Sequence, residues 1–305
     1  MGTAVPEPTT AKQPCRGFTL LETIMVIVIT GIIAAVVAVF MVKPVQGYFS
    51  SSARLAMADT ADTAMRRIAR DVRLALPNTV RVDASGMFLE FIPIKTGGRY
   101  LDKDACFTSP GCTSISTMGD MLGSLPVTTG SDQVSIYSQY NNSPANCSLS
   151  TSGLYSAYCD SGVATLTSVA GAGTSSNTLG FALSLFVPPG GSPTRRIFII
   201  PASPVTYACD AATSTLWRIW GYQRKPAQPA SLSSTPLLDP LNTNLRKVAL
   251  ATNVSCPAVA AGSPPRFAYA AGASQRYSLL SAWITLSNNG ETVSLLHQIH
   301  VDNTP

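Results

Sequence analysis

The chain has 305 residues, a formal net charge of +5, 46% hydrophobic residues and only 12% charged ones. That length allows one membrane helix with one sizeable domain, or two small ones. The charge is mild and spread out, without the Lys/Arg run of a nucleic-acid footprint, so no nucleic acid is expected as a partner.

The first element in chain order is an apolar run behind a short basic segment. Arg16-Gly17-Phe18-Thr19-Leu20-Leu21-Glu22 leads into twenty residues, Thr23 to Val42, without a charge. As a helix at about 1.5 Å per residue, such a run spans a bilayer's hydrocarbon core. A carboxylate placed like Glu22 costs roughly 2.5–3.5 kcal/mol in lipid if left unpaired. An ordinary secretory signal has an apolar core of only about 7–15 residues and small residues at its cleavage site. The nearest such triplet here, Ala56-Met57-Ala58, lies well beyond the run. A plain membrane anchor would explain the length but not Glu22.

Gly17-Phe18-Thr19-Leu20-Leu21-Glu22 ahead of an uninterrupted apolar helix resembles the type IV prepilin signal. The resemblance implies a leader over residues 1–17, cut after Gly17 by a prepilin peptidase that methylates the new terminus at Phe18. Glu22 would then be the fifth mature residue. Cleavage creates a cationic amine, and in a helical stack of subunits that amine can lie beside a neighbour's Glu22. At 4 Å and an effective dielectric near 20, such a pair gains on the order of 4 kcal/mol. Glu22 would thus be satisfied only in the assembly. Losing the leader leaves 19 basic and 15 acidic side chains.

The helix is expected to comprise a membrane-spanning or filament-core part over 18–42 and an amphipathic periplasmic part over 43–76. Gly31, Ala34, Ala35 and Ala38 recur at spacings suited to close helix contact in lipid. Pro44 and Gly47 predict a kink or an unwound turn. Beyond them Ala58, Ala61, Met65, Ile68, Val72 and Ala75 form one apolar stripe. Arg66, Arg67, Arg70 and Arg73 lie largely off it, with Asp62–Arg66 and Arg67–Asp71 as i,i+4 pairs. These arginines suit a solvated helix face; an acidic partner or lipid head groups are the competing readings. Pro77-Asn78 closes the helix.

Residues 77–305 form a globular, β-rich, periplasmic domain in this reading. Thr79–Val82 and Met87–Ile92 flank a hairpin turn at Asp83–Gly86, and Pro93 ends the second strand or puts it at an edge. Further strands are expected at Gln133–Tyr137, Gly162–Thr167, Thr178–Phe186, Arg195–Ile200, Pro204–Ala208 and Thr215–Tyr222. A last hairpin joins Ser281–Ser287 to Glu291–Val301 through Asn288-Asn289-Gly290. The Ser/Thr/Gly-rich stretches Thr108–Ser131 and Ala170–Asn177 are assigned to surface loops. In Trp217-Arg218-Ile219-Trp220, strand alternation puts Trp217 and Ile219 on one face and Arg218 and Trp220 on the other. The pattern fits core packing better than a stacking site for a ligand.

Of seven cysteines, Cys15 belongs to the leader. Cys106, Cys112, Cys147, Cys159, Cys209 and Cys256 remain, an even set suited to three disulfides in an oxidising periplasm. Six cysteines permit fifteen pairings, among which nearest-neighbour pairing is favoured here but not selected by sequence. No CxxC occurs, and neither His297 nor His300 lies near a cysteine, so no metal or other cofactor is expected. The two histidines point to opposite faces of one strand. No nucleophile elbow, phosphate loop or dinucleotide fingerprint is present, so no catalytic residue is assigned.

Leu76-Pro77-Asn78-Thr79-Val80-Arg81-Val82, Arg195-Arg196-Ile197-Phe198-Ile199-Ile200 and His297-Gln298-Ile299-His300-Val301-Asp302-Asn303 are similar to segments of the MshO minor pilins. Those proteins serve biogenesis of the mannose-sensitive haemagglutinin (MSHA) pilus. The implied fold class is α+β and pilin-like: one long N-terminal helix packed on a disulfide-stapled antiparallel β domain. The implied function is pilus biogenesis and assembly initiation, in a tip complex. The implied partners are other minor pilins, the major pilin, the prepilin peptidase and an inner-membrane assembly platform. The implied location is the bacterial inner membrane, single-pass, and then the pilus surface. Competing readings are a type II secretion minor pseudopilin, or a tip-displayed adhesin or DNA-binding pilin.

Overall fold

A 54-residue helix, α1, spans Leu20–Arg73 in the computed structural model, which describes residues 17–101, 113–121, 127–140, 147, 155–182, 191–233, 235–256, 266–271 and 276–304. Its start follows local chemistry. Thr19 caps the first turn, its hydroxyl oxygen accepting the Glu22 N–H at 3.3 Å, and Thr-x-x-Glu is the spacing of a capping box. Helical conformation is unbroken through Pro44 and Gly47, so the expected unwound turn is absent. Proline removes one backbone donor there, and the flanking turns keep the helix.

The chain divides into two units, Met1–Ala53 and Arg54–Pro305. In the first, the apolar side chains of α1 are exposed all around the helix. In the second, Met57, Ala61, Ala64, Met65, Ile68, Ala69 and Val72 are buried. This stripe is wider than periodicity alone predicts, and Ala58 lies at its half-buried margin.

Fourteen strands are assigned among the described residues, and every pairing between them is antiparallel. The first two, β1 (Arg81–Val82) and β2 (Phe88–Phe91), form the expected hairpin. Then β3 (Thr96–Tyr100), β4 (Ser114–Met118), β5 (Gln133–Ser135), β6 (Val163–Ala170), β7 (Thr178–Phe181) and β8 (Arg196–Ile200) close into a barrel of order β3-β4-β7-β6-β5-β8. Next come β9 (Val205–Asp210), β10 (Thr215–Trp220) and β11 (Arg246–Ala251), which join the first pair in a sheet of order β1-β2-β9-β10-β11. Last, β12 (Phe267–Ala271), β13 (Tyr277–Asn288) and β14 (Glu291–Asp302) form a three-stranded sheet.

Because β2 pairs directly with β9, the whole barrel is an insertion between two neighbouring strands. The apolar stripe of α1 shares one core with both open sheets, including Phe91, Tyr207, Leu280 and Ile299. The barrel has its own core around Tyr100, Ile136, Leu166 and Ile197. A small cluster with Leu76, Ile92, Tyr158 and Ile200 joins the two.

Several strand expectations change. The helix ends at Arg73, short of Pro77, because Leu76 N–H donates to Ile92 O at 2.7 Å and Ile94 N–H to Leu74 O at 2.8 Å. Those bonds divert the backbone into an edge contact. The stretch Thr108–Ser131, assigned to a loop, contains β4. Strands β3, β11 and β12 were also outside the expected set. In β3, Gly97 opposes Phe198, and a Cβ at Gly97 would lie 2.8 Å from that ring, so the barrel closes only over a bare backbone. The final hairpin turns on Asn289-Gly290, both at positive φ (50° and 82°), as a two-residue type I′ loop requires.

Candidate functional site

The motif residues sit at the start of α1. Gly17 and Phe18 precede the helix, Phe18 is 82% exposed, and Glu22 lies in the first helical turn. A carboxylate there complements the positive end of the helix dipole, so Glu22 has a local role in addition to any intersubunit one. Among the described residues it makes no ion pair within the chain. The hydroxyls of the apolar run are satisfied internally: Thr23 donates to Thr19 O at 3.3 Å, and Thr30 to Val26 O at 2.6 Å. Internal bonding of that kind is what a helix in lipid needs. Of the described helices, α1 is long and apolar enough to cross a membrane.

Two cysteine pairs are closed, Cys147–Cys159 and Cys209–Cys256. The second ties β9 to the segment after β11. Cys106 and Cys112 lie outside the described residues.

The best-buried polar cluster was not foreseen. Arg81 and Glu90 are cross-strand partners on β1 and β2, with side chains 6% and 0% exposed and 2.6 Å apart. Arg81 also donates to Pro226 O and Lys225 O, and its guanidinium stacks 3.5 Å from the Tyr158 ring centre. The other Glu90 oxygen accepts from Tyr222, whose hydroxyl also contacts Thr206 Oγ1 at 2.5 Å. Burial pushes the Glu90 carboxyl above its ordinary range, with Arg81 and Tyr222 pulling it back. Burial likewise raises the Tyr158 and Tyr222 hydroxyls. Both Glu90 oxygens are bonded and shielded from solvent, so the cluster fits structural pairing and offers no substrate a route to the carboxylate. Opposite charges flanking the Asp83–Gly86 turn were the available sequence signal.

Asp71 also departs from expectation. It accepts from Arg218 Nε at 2.8 Å and from the Tyr207 hydroxyl at 2.7 Å, linking α1 to β9 and β10, and no ion pair to Arg67 forms. Burial, then the Asp71 charge, drives the Tyr207 hydroxyl well up. Arg218 stacks on Trp220, while Ile219 packs into the core, so this segment is structural on both faces. Asp62–Arg66 forms as expected, at 2.6 Å. His297 is half-buried and His300 exposed on alternate faces of β14. No metal-binding group of His, Cys, Asp or Glu occurs among the described residues.

A cavity of about 460 Å³ lies where the barrel meets the segment after β10. Its polar groups largely serve the fold: Arg224 donates to Gln133 and Asp160, and Asn242 bonds Pro236 O, Leu237 O and Gln223 N–H.

Residues 12–38 match the family model described as the prokaryotic N-terminal methylation motif. The matched segment contains Gly17, Phe18 and Glu22. Neither the curated proteins nor the solved structures contain a match to this chain. The methylation motif, set ahead of an apolar helix packed at its far end on an antiparallel β domain, supports a type IV pilin-like, membrane-associated protein processed by prepilin peptidase.

Proposed function

We propose that the chain is a minor pilin of an MSHA-type type IV pilus, acting in assembly initiation within a tip complex. In this reading residues 1–17 are removed, 18–42 anchor the subunit in the inner membrane and later in the filament core, and residues from 43 onward are periplasmic. The observation that carries it is the methylation motif followed by a single acid, Glu22, at the head of twenty uncharged residues. Exposure of that apolar surface within the chain supports a partner outside it, first lipid and then neighbouring helices. The MshO-like segments around Arg81, Ile197 and Val301 support the finer assignment. The mechanism is assembly: a neighbour's Phe18 amine meets Glu22, and apolar helices replace the bilayer as the subunit is drawn out. Other pilins and an assembly platform are the partners.

The test is the mature N-terminus and the fate of Glu22→Ala. Mass spectrometry of sheared filaments should find a methylated Phe18. Glu22→Ala should be processed normally but enter filaments at least about tenfold less, the loss of a pair worth a few kcal/mol. Chains beginning at Met1 in filaments, or normal incorporation of Glu22→Ala, overturn the proposal.

A further inference from the structure

The arginines of the second half of α1 lie beside an open strand edge. In the three-stranded sheet β14 is an edge strand, with β13 as its partner among the described residues. Its ends are tied to both ends of the buried helical segment: Glu291 pairs with Arg54, and Asn303 accepts the Asn78 N–H at 3.2 Å. The strand is thus anchored near both ends, and His297 brings its middle beside the Arg66–Arg73 stretch. Between them is a groove of about 590 Å³, lined by Asp62 (paired with Arg66), Ala69, Arg70, Arg73, Leu74 and, from the strand, His297.

The hydrogen-bond register fixes which backbone groups of β14 face outward. On β13, Trp283 N–H donates to Arg266 O, Thr285 O accepts from Ser255, and Ser287 N–H donates to Asn253 O, all away from β14. Their register partners Leu296, Ser294 and Thr292 therefore direct their own N–H and C=O groups out of the sheet. Such an edge is a template for another strand. The adjoining surface is cationic: Arg66 is paired with Asp62, whereas Arg70 and Arg73 are exposed and make no ion pair among the described residues. Lipid head groups would satisfy the guanidinium groups but not a row of alternating donors and acceptors. An extended polypeptide with acidic side chains satisfies both.

We infer that the edge of β14 and the Arg66–Arg73 face of α1 form one docking surface for an extended, acidic segment of another protein, which adds as a strand to the sheet. This surface does not depend on the filament reading above.

The test uses the full chain in detergent micelles. The probe is a fluorescent peptide of about ten residues alternating Glu and Val, the control one alternating Lys and Val. The acidic peptide should bind saturably, with the basic one at least about tenfold weaker. Arg70→Glu with Arg73→Glu should weaken binding by a similar factor. Leu296→Pro should do the same, because it deletes an outward N–H while leaving the β13 ladder intact. In the unsubstituted chain, amide exchange at residues 292, 294 and 296 should slow when the acidic peptide is bound, a readout independent of any variant's folding. Absence of binding, equal binding of both peptides, or unchanged exchange on β14 overturns the inference. So does displacement of the peptide by short-chain phosphatidylglycerol with Leu296→Pro binding normally, which would mark a lipid-contact surface instead.

Discussion

The two halves of α1 obey the same periodicity and meet different fates. Residues 23–42 are uncharged and largely apolar around the whole circumference, and every one is exposed within the chain. From Met57 onward the apolar residues narrow to a stripe, and that stripe is buried under two sheets. A helix apolar on all sides needs a surrounding apolar phase, whereas an amphipathic one needs a single partner surface. The difference separates the part of the chain suited to an apolar surrounding from the part that serves the fold.

Substitution at matched positions tests that separation most severely. Ile68 is fully buried and Ile33 is 56% exposed. Ile68→Asp should destabilise the β domain by more than about 4 kcal/mol in denaturant titrations, because it buries an unpaired carboxylate. Ile33→Asp should leave the denaturation midpoint unchanged while costing about 2.5–3.5 kcal/mol in membrane insertion, read from the membrane-bound fraction. Equal effects in both assays would erase the contrast between the halves.

The sheet that the second half covers can be probed from its opposite face. Glu90→Ala strands the buried Arg81 and should cost about 3–5 kcal/mol in the same titration. The pH dependence has a definite sign. The Glu90 carboxyl is raised above its ordinary 4.5 in the folded state, so between these values the folded chain holds the extra proton. Its contribution to stability should therefore fall as pH rises through that window, and Glu90→Gln should flatten that part of the profile. A profile rising there would mean that Arg81 outweighs desolvation.

The two disulfides, both in the second unit, sharpen the comparison from within that unit. Replacing Cys209 and Cys256 by Ser should cost about 4 kcal/mol, and replacing Cys147 and Cys159 about 3 kcal/mol, since the closed separations are 47 and 12 residues. Thermal melts under oxidising conditions should show that order. Neither change should alter membrane association of the first half.

Much of the fold was legible where the signal is local. The hairpin at Asn289-Gly290 needs two residues tolerant of positive φ, and those residues stand in sequence beside alternating strands. The α1 stripe follows from 3.6-residue spacing. Strands β3 and β4 were not legible, because Thr-Gly-Gly-Arg-Tyr and Ser-Ile-Ser-Thr-Met carry weak strand signals and are ordered by distant β8 and β7. The Asp71 partnership was misassigned for the same reason: an i,i+4 arginine is the local choice, but half-buried Arg218 and fully buried Tyr207 offer a drier site.

By itself, the sequence determined what depends on neighbours along the chain: the processing motif, the uncharged run behind Glu22, the helix stripe and the tight turns. Only the tertiary structure decided that a barrel is threaded between β2 and β9, that Arg81 and Glu90 share a dry interior, and that Arg70 and Arg73, without an ion pair among the described residues, lie beside β14. These features join residues up to hundreds of positions apart. Their energies come from burial and from hydrogen bonds that form only once the sheets have closed, which local patterns signal at most weakly, as the charges across the Asp83–Gly86 turn do for Arg81 and Glu90.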